Sequence, residues 1–119
     1  MQRKFLMNSE FDKQWKVLGL TDKDLARLQQ EILENPQIGA VMKDTGRLRK
    51  MRFAFDNQGK SGSARVTYVD FVIYETVYLI YAYAKNEKDN LTKAERNQIK
   101  KMIDLIEKAL EQEGNDERI

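Results

Sequence analysis

The hydrophobic period of this chain changes twice, and that change limits the fold more than any other feature. Between residues 11 and 33 apolar side chains recur every three or four positions: Phe11, Trp15 and Leu18, then Leu25, Leu28, Ile32 and Leu33. This is the spacing of one face of a helix. From Leu48 to Ala84 the pattern shortens to alternation and to runs rich in Val, Ile and Tyr, the mark of strands. It then returns to helical spacing at Ile99, Met102, Ile103, Ile106 and Leu110. Two helices, a set of strands and a last helix make an α+β protein. The expected arrangement is a small antiparallel sheet with an N-terminal helical hairpin and a C-terminal helix packed on one face.

Local punctuation agrees with this division. Residues 3–7 suit a short first strand with Phe5 and Met7 facing one way. Ser9 can cap the first helix and Gly19 can end it. Thr21 with Asp24, and Thr92 with Glu95, have the spacing of capping boxes opening the second and last helices. Asn35-Pro36 stops the second helix. Strands are expected over 48–55, 65–71 and 72–84, the last with room for a turn near Tyr74-Glu75. At 119 residues the chain should form one domain, 1–119, large enough to hold a core unaided. Its acidic tail, 113–119, is expected to fray.

Composition excludes several chemistries. The chain has no cysteine and no histidine, so neither a thiol nor an imidazole can act as nucleophile, base or metal ligand. No metal or cofactor is expected. The start has no apolar run of signal-peptide length and no segment is long enough to span a bilayer, so a cytoplasmic protein without a membrane partner is expected. Lysine and arginine total 21 against 19 acids, a net charge of +2, so any polyanion site must come from local charge.

Such a site is visible at Gly46–Arg65. Arg47, Arg49, Lys50, Arg52, Lys60 and Arg65 bring six positive charges against the single acid Asp56. On a strand, Lys50 and Arg52 share one face while Met51, Phe53 and Phe55 share the other. The aromatic face belongs in the core, so the two cations look outward. If register aligns the next strands, Arg65, Tyr83 and Lys85 join them, with Lys60 reaching over from the hairpin loop. Single cations on a strand commonly serve solubility. A convergent group of one sign repels itself, and a solubility device would mix signs. The loop sequence QGKSG is not a phosphate-binding P-loop. That motif needs a glycine where Ala54 stands and a helix where a strand follows, so no nucleotide cofactor is expected.

A cationic face of this kind can cleave RNA without metal. Attack by a 2′-hydroxyl needs a base, cations on the phosphate and an acid for the leaving oxygen. Lysine, with an ordinary pKa of about 10.4, serves as a base near neutrality only where other cations disfavour its charged form; Lys50 has cationic neighbours. Arginine's fork matches a phosphate, and Tyr83 can stack on a base or pass a proton.

The blocks GRLRKMRFA, GKSGSAR and YAYAKNEKDNLT resemble the RelE/HigB toxins of bacterial type II toxin–antitoxin modules, in particular the HigB-like branch. The segment from Phe11 to Gly46 also resembles that family's helical hairpin. The resemblance implies a small α+β fold and a ribosome-dependent mRNA endonuclease that cuts translated mRNA in the A site without metal or cofactor. It also implies neutralisation by a cognate antitoxin, usually DNA-binding. Carried over block by block, the catalytic positions fall on Lys50, Arg52, Lys60, Arg65 and Tyr83, with Arg47, Arg49 and Lys85 as RNA- or ribosome-binding residues. Two positions depart from the family's run: Arg47 and the pair Ser63-Ala64 stand where glycine is usual. The rival expectations are a gyrase-inhibiting toxin of the related ParE type and a non-catalytic RNA-binding module.

Overall fold

A computed structural model describes residues 2–55, 62–84 and 91–117, with side chains through 113. The chain runs β1 (Lys4–Met7), α1 (Ser9–Val17), α2 (Asp22–Glu34), β2 (Ala40–Val41), β3 (Arg49–Ala54), β4 (Ser63–Phe71), a 3-10 turn (Val72–Tyr74), β5 (Thr76–Ala84) and α3 (Lys93–Glu117). The architecture is α+β, as the periodicity requires.

The helical hairpin is made by its ends. Asn8, one residue before the expected Ser9, caps α1 by accepting the Phe11 N–H at 2.9 Å. Gly19 follows α1 at φ +78°, a left-handed turn that glycine adopts without strain. Thr21 and Asp24 then form the full capping box of α2, and the Trp15 indole donates to the Thr21 carbonyl across the turn at 3.0 Å. Phe11, Trp15, Leu28 and Ile32 are all buried against Met51, Phe53, Val66, Val77 and Leu79 on one face of the sheet. The capping box of α3 is also formed, between Thr92 and Glu95. The helix runs to Glu117.

Three details differ from expectation. The sheet is mixed, with strand order β1-β5-β4-β3-β2 and β1 parallel to β5. The extra edge strand β2 lies in what reads as loop and pairs with β3. The helices also divide between the two faces. Ile99, Ile103 and Leu110 of α3 bury Leu48, Val69, Phe71 and Ile80 on the face opposite α1 and α2. An amphipathic stripe says that a helix buries one side but not against what. The physical reason for two-sided cover lies in β4 and β5, whose burial is nearly continuous rather than alternating, so both faces need covering.

Edges are closed locally. Above β1, the free edge of β5 is met by Gln14 of α1, whose side-chain oxygen accepts the Ala82 N–H at 2.9 Å. Arg27 of α2 lies 4.0 Å over the Phe53 ring and donates to the Ala54 carbonyl. Arg3 bonds Asp70 at 2.8 Å, tying the N-terminal segment to β4 across β5. Among the described residues no helix is long and apolar enough to cross a membrane.

Candidate nucleic-acid interface

The site is one cross-strand row and its neighbour. Arg52 on β3 pairs with Arg65 on β4, and Arg65 pairs with Tyr83 on β5. The adjacent row on the same face is Lys50, Thr67 and Tyr81. Four of the expected catalytic residues, Lys50, Arg52, Arg65 and Tyr83, are therefore brought onto one face at the end of the sheet, beside the start of α3.

A β-bulge makes this possible. Thr67 pairs with Tyr81 and the next residue, Tyr68, with Leu79, so Ile80 is an extra residue on β5. Val77 and Leu79 point into the core under α1 and α2. Strict alternation would send Tyr81 and Tyr83 there too. The extra residue leaves Ile80 and Tyr81 both towards α3, so Tyr83 falls on the face of the arginines. Re-aiming side chains is a usual role of bulges beside functional sites. The Thr67 hydroxyl accepts the Tyr81 N–H at 3.1 Å, satisfying a donor that the irregular ladder releases. Thr67, Tyr81 and Tyr83, with Leu48, Leu91 and Ile99, line a cavity of about 140 Å³ between the sheet and α3.

Ser63 at the start of β4 is the site residue that sequence reading missed. It is 4% exposed, and its hydroxyl accepts from Arg52 Nε at 3.1 Å and from Arg65 Nη1 at 3.2 Å. Among the described residues neither arginine is ion-paired with a carboxylate, and the group they share is a neutral hydroxyl. The only signal in the sequence was a departure: a serine two residues before Arg65 where glycine is usual.

Arg47 and Arg49 lie elsewhere. Arg47 pairs with Glu107 of α3 at 2.9 Å and lies 5.2 Å from the Phe71 ring centroid. Arg49 donates to the Gly39 carbonyl at 2.7 Å. Both line a groove of about 320 Å³ with Phe71 and Val72; along β4, at about 3.3 Å per residue, Phe71 is some 20 Å from Arg65, and Tyr68, the partner of Arg49, about 10 Å. Lys60 and Lys85 fall outside the described residues, as does Asp56.

The family model described as the RelE toxin of the RelE/RelB toxin–antitoxin system matches residues 3–116. The chain belongs to the RelE toxin family. A solved structure of the E. coli toxin RelE, a mutant in the free state, is similar to this RelE-family chain with a TM-score of 0.52 at 17% identity. The match covers 75% of this chain and 90% of the E. coli chain. At that identity the likeness concerns the fold, which is that of RelE. Membership makes this protein the toxin type of a toxin–antitoxin pair, with an antitoxin as its partner class.

Proposed function

We propose that this RelE-family toxin is a ribosome-dependent mRNA endonuclease that cuts translated mRNA in the A site, and that the row Arg52–Arg65–Tyr83 with Lys50 carries the reaction. The observation that supports this reading is the in-register convergence of two arginines, a lysine and a tyrosine contributed by three strands. A lysine amine, Lys50 here, takes the proton of the 2′-hydroxyl. The 2′-oxygen forms its bond to phosphorus as the bond to the 5′-oxygen breaks, leaving a 2′,3′-cyclic phosphate. Arg52 and Arg65 neutralise the charge that grows on the phosphate oxygens, and the leaving 5′-oxygen takes its proton from Tyr83. Arg47 and Arg49, held by Glu107 and the Gly39 carbonyl, take no part in the bond-breaking step. The cognate antitoxin neutralises the toxin, and a cationic face of this kind suits an acidic or covering segment.

The experiment adds the protein to a translating extract and maps mRNA 5′ ends. New ends at translated codons are expected, and Arg65→Ala should remove them while leaving the fold intact by circular dichroism. Comparing Lys50→Ala with Lys60→Ala in single-turnover cleavage tests the assignment of the base. Intact mRNA with normal protein synthesis would sink the proposal. Inhibition of DNA supercoiling with intact mRNA would point instead to gyrase.

A further inference from the structure

We propose that Ser63 is a positioning residue that locks Arg52 and Arg65 into a single anion-binding pair before RNA arrives. The inference rests on the reading that this row receives an RNA phosphate. Like charges directly opposite one another on paired strands repel, and Arg52 and Arg65 occupy such opposed positions. Left alone, two long side chains in that relation would swing apart into solvent. The buried Ser63 hydroxyl gives both a common acceptor, at 3.1 and 3.2 Å.

The chemical type of the acceptor matters. A carboxylate in its place would hold the guanidinium groups more tightly but would cancel the charge a phosphate needs. A neutral hydroxyl orients them and leaves both charges in place. Arg52 is held through Nε and Arg65 through one terminal nitrogen, so each keeps further N–H donors for phosphate oxygens. Alanine or glycine at position 63 offers no acceptor. Ordering the pair in the free protein removes a reorganisation step at the moment of reaction, which is where preorganised charge gains its effect.

Ser63→Ala and Ser63→Thr separate this role from a merely structural one. Threonine keeps the hydroxyl and suits a strand. In single-turnover cleavage on mRNA-programmed ribosomes, Ser63→Ala should cut about 10- to 100-fold more slowly, with binding to the ribosome little changed. Ser63→Thr should restore the rate. In arginine side-chain NMR, the Arg52 Nε–H signal should be protected from water exchange in the parent and in Ser63→Thr, and unprotected in Ser63→Ala. Equal cleavage by Ser63→Ala and the parent, or an unchanged Arg52 Nε–H signal, would overturn the proposal. Failure of the parent to cut mRNA would overturn the endonuclease reading instead, while loss of Nε–H protection in Ser63→Ala alone would still support the locking of the pair.

Discussion

Replacing Tyr68 with phenylalanine should destabilise this protein far more than its single lost oxygen suggests. Tyr68 lies on β4 with no exposed surface. Its hydroxyl donates to the Pro36 carbonyl at 2.8 Å and accepts the Gly39 N–H at 3.0 Å. The two bonds fasten the segment between α2 and β2 onto the sheet, directly beneath the backbone of Lys50. Phenylalanine fills nearly the same volume, so no cavity term arises. The cost comes from two backbone groups that lose their buried partner, about 1–3 kcal/mol for each group left unsatisfied. Allowing some access to water, a total of about 2–4 kcal/mol is expected. For a domain of this size, with an unfolding entropy of about 2.1 cal/mol/K per residue, that lowers Tm by roughly 8–16 °C. Thermal and urea denaturation, followed by circular dichroism, measure it. A loss below about 0.5 kcal/mol, the floor for one hydrogen bond, would refute the view that this hydroxyl anchors the segment.

The same residue carries a pH signature. Burial raises the Tyr68 pKa above its ordinary value near 10, outweighing the Gly39 N–H and the nearby Arg49, which both favour the ionised form. The folded state therefore holds the proton more tightly than the unfolded chain does. Its contribution is fully present below about pH 10 and is lost as pH rises towards the folded value. Tyr68→Phe should flatten that alkaline decline, and an unchanged slope would count against it.

Other consequences follow from single contacts. At Gly39 an added Cβ would meet Tyr68 Cε1 at 3.0 Å and the Lys50 carbonyl at 3.1 Å. Gly39→Ala should therefore cost about 1–3 kcal/mol in urea unfolding. The Arg3–Asp70 side chains are 9% and 6% exposed, so Arg3→Ala leaves a largely buried carboxylate and should cost about 1–4 kcal/mol, between the limits for exposed and buried pairs. Replacing both partners with apolar residues should recover part of that loss. Thr92→Ala removes the hydroxyl that accepts the Glu95 N–H at 3.1 Å and should cost about 0.5–2 kcal/mol, with faster amide exchange confined to the first turns of α3.

Taken alone, the sequence determined the three helices, the longer strands and the buried side of each, though not the short edge strand β2. Helical and alternating periods separate α1 and α2 from the strands, capping boxes mark α2 and α3, and alternation along Arg49–Ala54 turns Lys50 and Arg52 away from Met51 and Phe53. Those features are local: they depend on residues within one turn or one strand of each other. Tertiary structure alone decided that α3 covers the face opposite the hairpin, that β1 joins β5 in parallel, and that Arg65 and Tyr83 come into line with Arg52. That alignment depends on pairings between residues 13 and 18 positions apart, Arg52 with Arg65 and Arg65 with Tyr83, and on one extra residue, Ile80, whose bulge no periodicity announces. Ser63 belongs to the same class. A serine beside a loop is unremarkable until folding buries its hydroxyl between two arginines, because the interaction that gives it meaning spans two strands.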